Sequence, residues 1–164
     1  MYQTKSVLTG SKDEEHRMKF QVTPIENVRC NDVTDVFYQF LEYWDKKRLK
    51  NYKEIKAIFF NDKKEAIAFC DISSQQKNLP ISHQEMPKFN LDELVKKAQS
   101  KQAKTIVIAE NFLSDDVGID NSRIEFLENL KCIAEPHGIE VEDFISMNTT
   151  SYSSLKVHGL DLTY

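Results

Sequence analysis

Four carboxylates stand close together past the middle of the chain: Glu110, Asp115, Asp116 and Asp120, just ahead of a stretch with helical periodicity. Oxygen ligands of this kind can hold Mg²⁺ or Mn²⁺. The same acids also suit the positive end of a helix dipole, a role that needs no ligand. Lys46, Lys47, Arg48, Lys50, Lys53 and Lys56 form the basic cluster of the chain. It can contact phosphate or an acidic partner, or simply lie solvated around a helix end. His83 and Glu85 are of ligating type, although a single loop histidine usually just faces solvent. With four glycines there is no glycine-rich phosphate loop, and three cysteines and four histidines do not space out into a Ser-His-Asp or Cys-His triad.

The elements that must position these groups are organised around Lys104 to Pro136. Thr105-Ile106-Val107-Ile108-Ala109 is an uninterrupted apolar run, the pattern of a strand buried on both faces. A polar loop follows from Glu110 to Asp120. A helix then starts near Asn121 or Ser122, carrying Ile124, Leu127, Leu130 and Ile133, and Pro136 and Gly138 stop it. Ligands in α/β folds bind at the carboxyl ends of strands, so any active site is expected within Glu110 to Arg123.

Upstream, Val33, Val36, Phe37, Phe40, Leu41 and Trp44 make one apolar helical stripe, with Asn31 or Asp32 as cap. That helix is expected to run out through Asp45-Lys46-Lys47-Arg48, cations that suit a helix carboxyl end. Ile55–Phe60 and Ala66–Ile72 read as a β-hairpin joined by Asn61 to Lys64. Ser73 to Lys88 reads as a loop. Phe89 to Leu94 opens another helix, with Asn90 as cap, Glu93 three residues on and Phe89 against Leu94 as a staple. Leu91, Leu94, Val95 and Ala98 form its buried side. After Gly138 come a strand at Ile139 to Met147, a turn, a short strand at Ser151 to Ser153 and a last helical turn from Leu155 to Leu160. Residues 1–30 read as an extension packed on the domain, with short strands at Tyr2 to Leu8 and at Phe20 to Val22 ahead of Pro24. The expected class is α/β (α+β), a mixed sheet flanked by helices in one domain, with the order α-β-β-α-β-α-β-β-α after that extension.

At 164 residues, with 29% charged and 40% hydrophobic residues, the chain suits one globular domain with a real core. A net charge of −4 offers no overall footprint for nucleic acid. No apolar run approaches membrane-spanning length and the amino terminus has no apolar signal region, so no membrane partner and a cytoplasmic location are expected. Cys30, Cys70 and Cys132 form no paired motif and read as buried thiols.

Asn51 to Leu160 resembles the JAB/MPN domain of RadC-type proteins. Glu54-Ile55-Lys56-Ala57-Ile58-Phe59-Phe60-Asn61-Asp62-Lys63 looks like that family's first hairpin, a Glu ahead of an apolar strand and an Asp/Asn turn. Asp92 to Ala109 matches its helix and central strand. Ser122 to Leu160 matches through Leu130-Lys131, Gly138-Ile139, Asp143-Phe144-Ile145, Tyr152-Ser153-Ser154-Leu155 and Gly159-Leu160. The helix at Asp32 to Trp44 sits where short, JAB-only relatives place one, which divides the chain into the extension 1–30 and a RadC-like domain 31–164.

The resemblance implies a cytidine-deaminase-like fold and, in active members, a zinc site. That site is built from a His-x-His-Pro loop, an Asp on the next helix and a catalytic Glu from the first strand. Here Glu110 stands at the first His, Phe112 at the second, Leu113 at the Pro and Arg123 at the Asp, while Asn111, Ser114 and Asp116 persist and Glu54 occupies the position of the catalytic Glu. A phenyl ring cannot ligate, and a guanidinium repels a metal ion. The resemblance therefore implies a pseudo-metallopeptidase without zinc, cofactor or catalytic residues. Such a domain is expected to be non-catalytic and to act as a protein–protein interaction module, on another protein or on a second copy of this chain. Two alternatives stand beside it. One is a metal-dependent hydrolase (peptidase, isopeptidase or nuclease-like) using Glu110, Asp115, Asp116 and Asp120; the other is a DNA-associated accessory protein using the Lys46–Lys56 cluster. The resemblance further brings Glu54, Glu110 and Arg123 toward one point, with Arg123 expected to pair with Glu110, Glu54 or Asp116 as a tethered cation in place of the metal.

Overall fold

A computed structural model describes residues 18–74, 78–113 and 119–156. Among these residues six strands form one mixed sheet: β1 (Met18–Arg29), β2 (Ile55–Phe60), β3 (Glu65–Ser74), β4 (Thr105–Asn111), β5 (Glu140–Met147) and β6 (Tyr152–Ser154). The spatial order is β1-β3-β2-β4-β5-β6, and β4 with β5 is the parallel pair while the others run antiparallel. Four helices among the described residues cover the sheet: α1 (Val33–Tyr43), α2 (Lys46–Asn51), α3 (Leu91–Ser100) and α4 (Asn121–Ala134). The class is α+β with a mixed sheet. The element order, β-α-α-β-β-α-β-α-β-β, differs from the expected one by a split helix, by a full amino-terminal strand and by the last helical turn, most of which lies outside the described residues.

The strands' two-residue alternation sorts the core into two layers. On one face Phe37, Phe40, Trp44 and Leu49 of the α1–α2 region meet Ile58, Phe60, Phe69, Val107, Ala109, Ile145 and Met147. On the other, Leu94, Val95 and Ala98 of α3 and Leu127, Leu130 and Ala134 of α4 meet Ile55, Ala57, Phe59, Ile106, Ile108 and Phe144. β4 lies between these layers and is buried from Ile106 to Asn111, two residues beyond the apolar run. The run ends at Ala109; the ladder does not, because Ile55 and Ser146 hold register with Glu110 on either side.

The caps follow the sequence. Asp32 accepts from the Asp35 amide, Asn90 from Glu93 and Asp120 from Arg123. Gly138, in the left-handed region at φ 70°, ends the short 3₁₀ turn after α4. The turn Asn61 to Lys64 joins β2 and β3 as expected, with Lys64 left-handed at φ 61°.

Four expectations need correction. Pro24 does not end the first strand: β1 runs on to Arg29 as an edge strand, which tolerates a missing N–H, and the register shifts between Pro24 and Val28. Part of the expected extension is thus a strand of the same sheet. The Trp44 helix does not run into the lysines. Trp44 turns extended at ψ 126°, and Asp45 caps a separate six-residue helix by accepting from the Arg48 amide. Cys132 is exposed, whereas burial pushes the Cys30 thiol up to about 11 and the Cys70 thiol up to about 12. The Ser73–Lys88 loop begins after Ser74, and Pro80 within it makes an isolated bridge with Tyr52. The strand read at Tyr2 to Leu8, and the end of the last turn beyond Lys156, lie outside the described residues.

The sheet's far edge depends on Asp143, a buried carboxylate of β5. It accepts from Ser154 Oγ at 2.5 Å, the Phe144 amide at 2.8 Å and the Lys156 amide at 3.0 Å, tying β6 and its following turn to β5. Burial raises its carboxyl above the usual 3.8 in spite of these donors. A carboxyl raised in the fold contributes stability that is complete below 3.8 and is lost as pH climbs through the folded value. Asp143→Asn keeps acceptors for both amides and is neutral throughout. It is expected to be at least as stable as wild type near neutral pH, and the difference in urea midpoint is expected to shrink as the pH falls toward 3.8.

Candidate functional site

Glu110 ends the central strand with its carboxylate fully buried at 0% exposure. A buried carboxylate persists only if cations and donors replace its water. Two residues do so. Arg123, in the first turn of α4 and 5% exposed, forks onto it: Nε donates to Oε1 at 2.9 Å and Nη2 to Oε2 at 2.7 Å. Lys53, just ahead of β2 and 4% exposed, places Nζ 3.1 Å from Oε2.

The remaining donors of both cations are also occupied. Arg123 Nη1 reaches Asp120 Oδ2 at 3.3 Å and Ser122 Oγ at 3.2 Å, and Nη2 donates to the Gln84 carbonyl at 2.7 Å. All five guanidinium N–H groups thus have acceptors. Lys53 Nζ also donates to the Asn111 carbonyl and lies 3.5 Å from the centroid of the Phe112 ring. The Arg123 guanidinium lies 5.6 Å from that centroid, within cation–π range. The paired carboxylate raises the arginine further above its ordinary value, while burial lowers the Lys53 amine below its own against the pull of Glu110.

Glu54 belongs to a different cluster. Residues alternate across the sheet, so Lys53 shares a face with Ile55, and Glu54 shares the opposite face with Lys56 and Ile58. There the Glu54 carboxylate accepts from Trp44 Nε1 at 3.1 Å and Arg48 Nε at 2.6 Å, with Lys56 Nζ at 3.0 Å. Lys56 continues to Asp71. Asn111 joins the two clusters: its Oδ1 accepts from the Glu54 amide at 2.8 Å, and its Nδ2 donates to the carbonyls of Leu49 at 2.9 Å and Tyr52 at 2.6 Å.

Of the residues expected to converge, then, Glu110 and Arg123 meet and Glu54 does not. A one-residue difference in parity puts the lysine where the glutamate was expected. The basic cluster divides as well. Lys46, Lys47 and Lys50 are exposed and Arg48 is half-buried, but Lys53 and Lys56 are buried and already paired. Asp120 serves as helix cap and partner of Arg123; donation from Ser122 Oγ first, then from Arg123, holds its carboxyl below the ordinary value. Ser114, Asp115 and Asp116 lie outside the described residues, and among those described no group of three His, Cys, Asp or Glu side chains is placed to hold a metal ion. No protein-family model matches the chain, and no curated protein matches it.

Trp44, Gln84 and Ser122 join the clusters without having been singled out in the sequence as site residues, and so do Asp71 and Ser146. Asp71 is separated from Lys56 by a hairpin, and only the strand register connects them. Ser146, fully buried opposite Glu110 on β5, has an Oγ without a hydrogen-bond partner among the described residues. Neither leaves a mark in its local sequence, since both depend on pairing across the sheet.

Because breaking a buried ion pair strands a charge, Arg123→Ala is expected to cost about 3–5 kcal/mol in denaturant unfolding. Replacing all three charges together with Lys53→Met, Glu110→Leu and Arg123→Met leaves none stranded. That variant is expected to lose much less than the single one. Equal losses in both would mean that packing, not charge, dominates the cluster.

Proposed function

We propose that the chain is a RadC-like JAB/MPN-type domain that has lost the metal chemistry and works by binding another protein, with a second copy of this chain as one such partner. The supporting observation is the saturation of Glu110: both its oxygens are engaged by Arg123 and Lys53, and all five guanidinium donors are taken. Zinc binds through several N, O or S ligands with a position left for water. The residues here do not fit it. One carboxylate already committed to two cations, a phenyl ring and a guanidinium cannot make that set. The finer fold type follows from the resemblance in sequence; the mixed sheet with helices on both faces is compatible with it. No helix among the described residues is long and apolar enough to cross a membrane.

Protein purified without chelator is expected to carry far less than one zinc per chain and to show no peptidase activity with added Zn²⁺. A stoichiometric zinc would overturn the non-catalytic reading. Affinity capture from the native cell, scored by mass spectrometry against a control bait, together with light scattering for self-association, tests the binding role; a protein that captures nothing and stays monomeric would count against it.

The nucleic-acid alternative loses two of its candidate contacts, because Lys53 and Lys56 are committed inside. Duplex and single-stranded DNA are expected to bind no better than about 10⁻⁵ M at physiological salt, the range of non-specific contact. A submicromolar constant that falls steeply with salt, and that Lys46, Lys47 and Lys50 replacement abolishes, would reverse this ranking.

A further inference from the structure

The connection between β3 and α3 passes across the end of the sheet where both ion clusters lie, and it is fastened to them directly. Arg48, whose Nε holds Glu54 on one face, donates from Nη2 to Asn78 Oδ1 at 3.0 Å. Arg123, which holds Glu110 on the other, donates from Nη2 to the Gln84 carbonyl at 2.7 Å. Between these points the Lys53 amide donates to the Leu79 carbonyl at 2.9 Å and the Ile81 amide to the Asn51 carbonyl at 2.9 Å. The fastenings are therefore two arginines, one from each face, and one short bridge on the residue that carries the buried amine.

Among the described residues, little else holds this segment. Residues 78, 80, 82, 84 and 85 are exposed and Leu79, Ile81, His83 and Met86 only half-buried, until Pro87 and Phe89 enter the core. Beyond the bond of Arg123 to Gln84, residues from Glu85 to Leu91 and the start of α4 line an open groove of about 680 Å³, so the far limb has room to move. A segment with few buried apolar contacts and a handful of polar fastenings belongs to the part of a fold that opens locally.

We propose that residues 78–86 form a strap that opens as a unit of its own and gates access to the buried amine of Lys53 and the carboxylate of Glu110. The strap is bonded to Lys53 and Arg123, the two residues that pair with Glu110 at the carboxyl end of the central strand, the place where an α/β fold presents ligands. Closed, it leaves that end sealed and its charges mutually satisfied. Open, it presents a primary amine and a carboxylate while the sheet stays intact, with Pro87 and Phe89 as the fixed end.

Two variants and two readouts test this. Asn78→Ala removes one fastening and touches no buried charge; Arg123→Lys keeps a cation beside Glu110 and loses the fork and the bond to Gln84. Amide hydrogen exchange follows Ile81 against Ile106 to Glu110, and acetylation by N-hydroxysuccinimide acetate follows Lys53 against exposed Lys47 by mass spectrometry. In the wild type, Lys53 is expected to acetylate at least about tenfold more slowly than Lys47, because reaction waits for local opening. Both variants are expected to speed Ile81 exchange and Lys53 acetylation together by about tenfold or more, with the β4 amides unchanged. Three results would overturn the proposal: Lys53 acetylating as fast as Lys47 in the wild type, strap and β4 amides accelerating together, or no change in Asn78→Ala. Asn78→Ala keeps the test decisive should Arg123→Lys fail to fold.

Discussion

A carboxylate buried at the end of a central strand constrains everything near it. Moving an isolated carboxylate into a low-dielectric interior costs far more than a domain's whole net stability, so Glu110 can be buried only as part of a compensated group. The compensation comes from two elements, Lys53 ahead of β2 and Arg123 in the first turn of α4, and Arg123 is tied in turn to the cap Asp120. The start of α4 is thereby fixed against the end of β4. The arginine fork sets orientation as well as charge, since two parallel N–H···O bonds hold the guanidinium plane against the carboxylate plane. A lysine at that position could supply the charge but not the fork or the reach to Gln84.

The same end of the sheet is held from the other face by the cluster around Glu54. Consecutive residues of opposite charge, Lys53 and Glu54, enter β2 pointing to opposite faces, and each is neutralised on its own side. Asn111 lies between them and is fully committed, its side chain to three backbone groups and its carbonyl to Lys53. An asparagine there satisfies backbone that would otherwise be buried without partners at the junction of α2 and β2. The two clusters therefore form one polar end to the sheet.

Much of this fold was legible locally. Capping residues, the apolar stripes of α1 and α3 and the strand at Thr105 carry their signals within a few positions. Signals that depend on pairing across the sheet were not. Pro24 reads as a terminator unless β1 is known to be an edge strand, and Asp45 reads as the tail of one helix unless it is seen to cap the next. The site was half legible for the same reason. Pairing of Arg123 with Glu110, Glu54 or Asp116 was expected from the resemblance, which brings their positions toward one point, and the fork is made to the first of the three. The parity of Lys53 and Glu54 was not, because the register Ile55 with Glu110 decides which of two neighbours faces inward to it.

That parity bears on what the crevice can do chemically. Had Glu54 faced Glu110, two carboxylates would have met beside one guanidinium, and the excess negative charge would favour a proton or a cation there. With Lys53 in that position the described buried group holds two cations and one carboxylate, and Asp120, the further carboxylate that Arg123 meets, is exposed and tied to the helix start. A divalent ion approaching Glu110 would meet an ammonium and a guanidinium at contact distance. Reversing that preference would take more than ligand residues at positions 110, 112 and 123. The amine of Lys53 would still share the crevice, so the charge two residues ahead of β2 controls the chemistry there as firmly as the loop does.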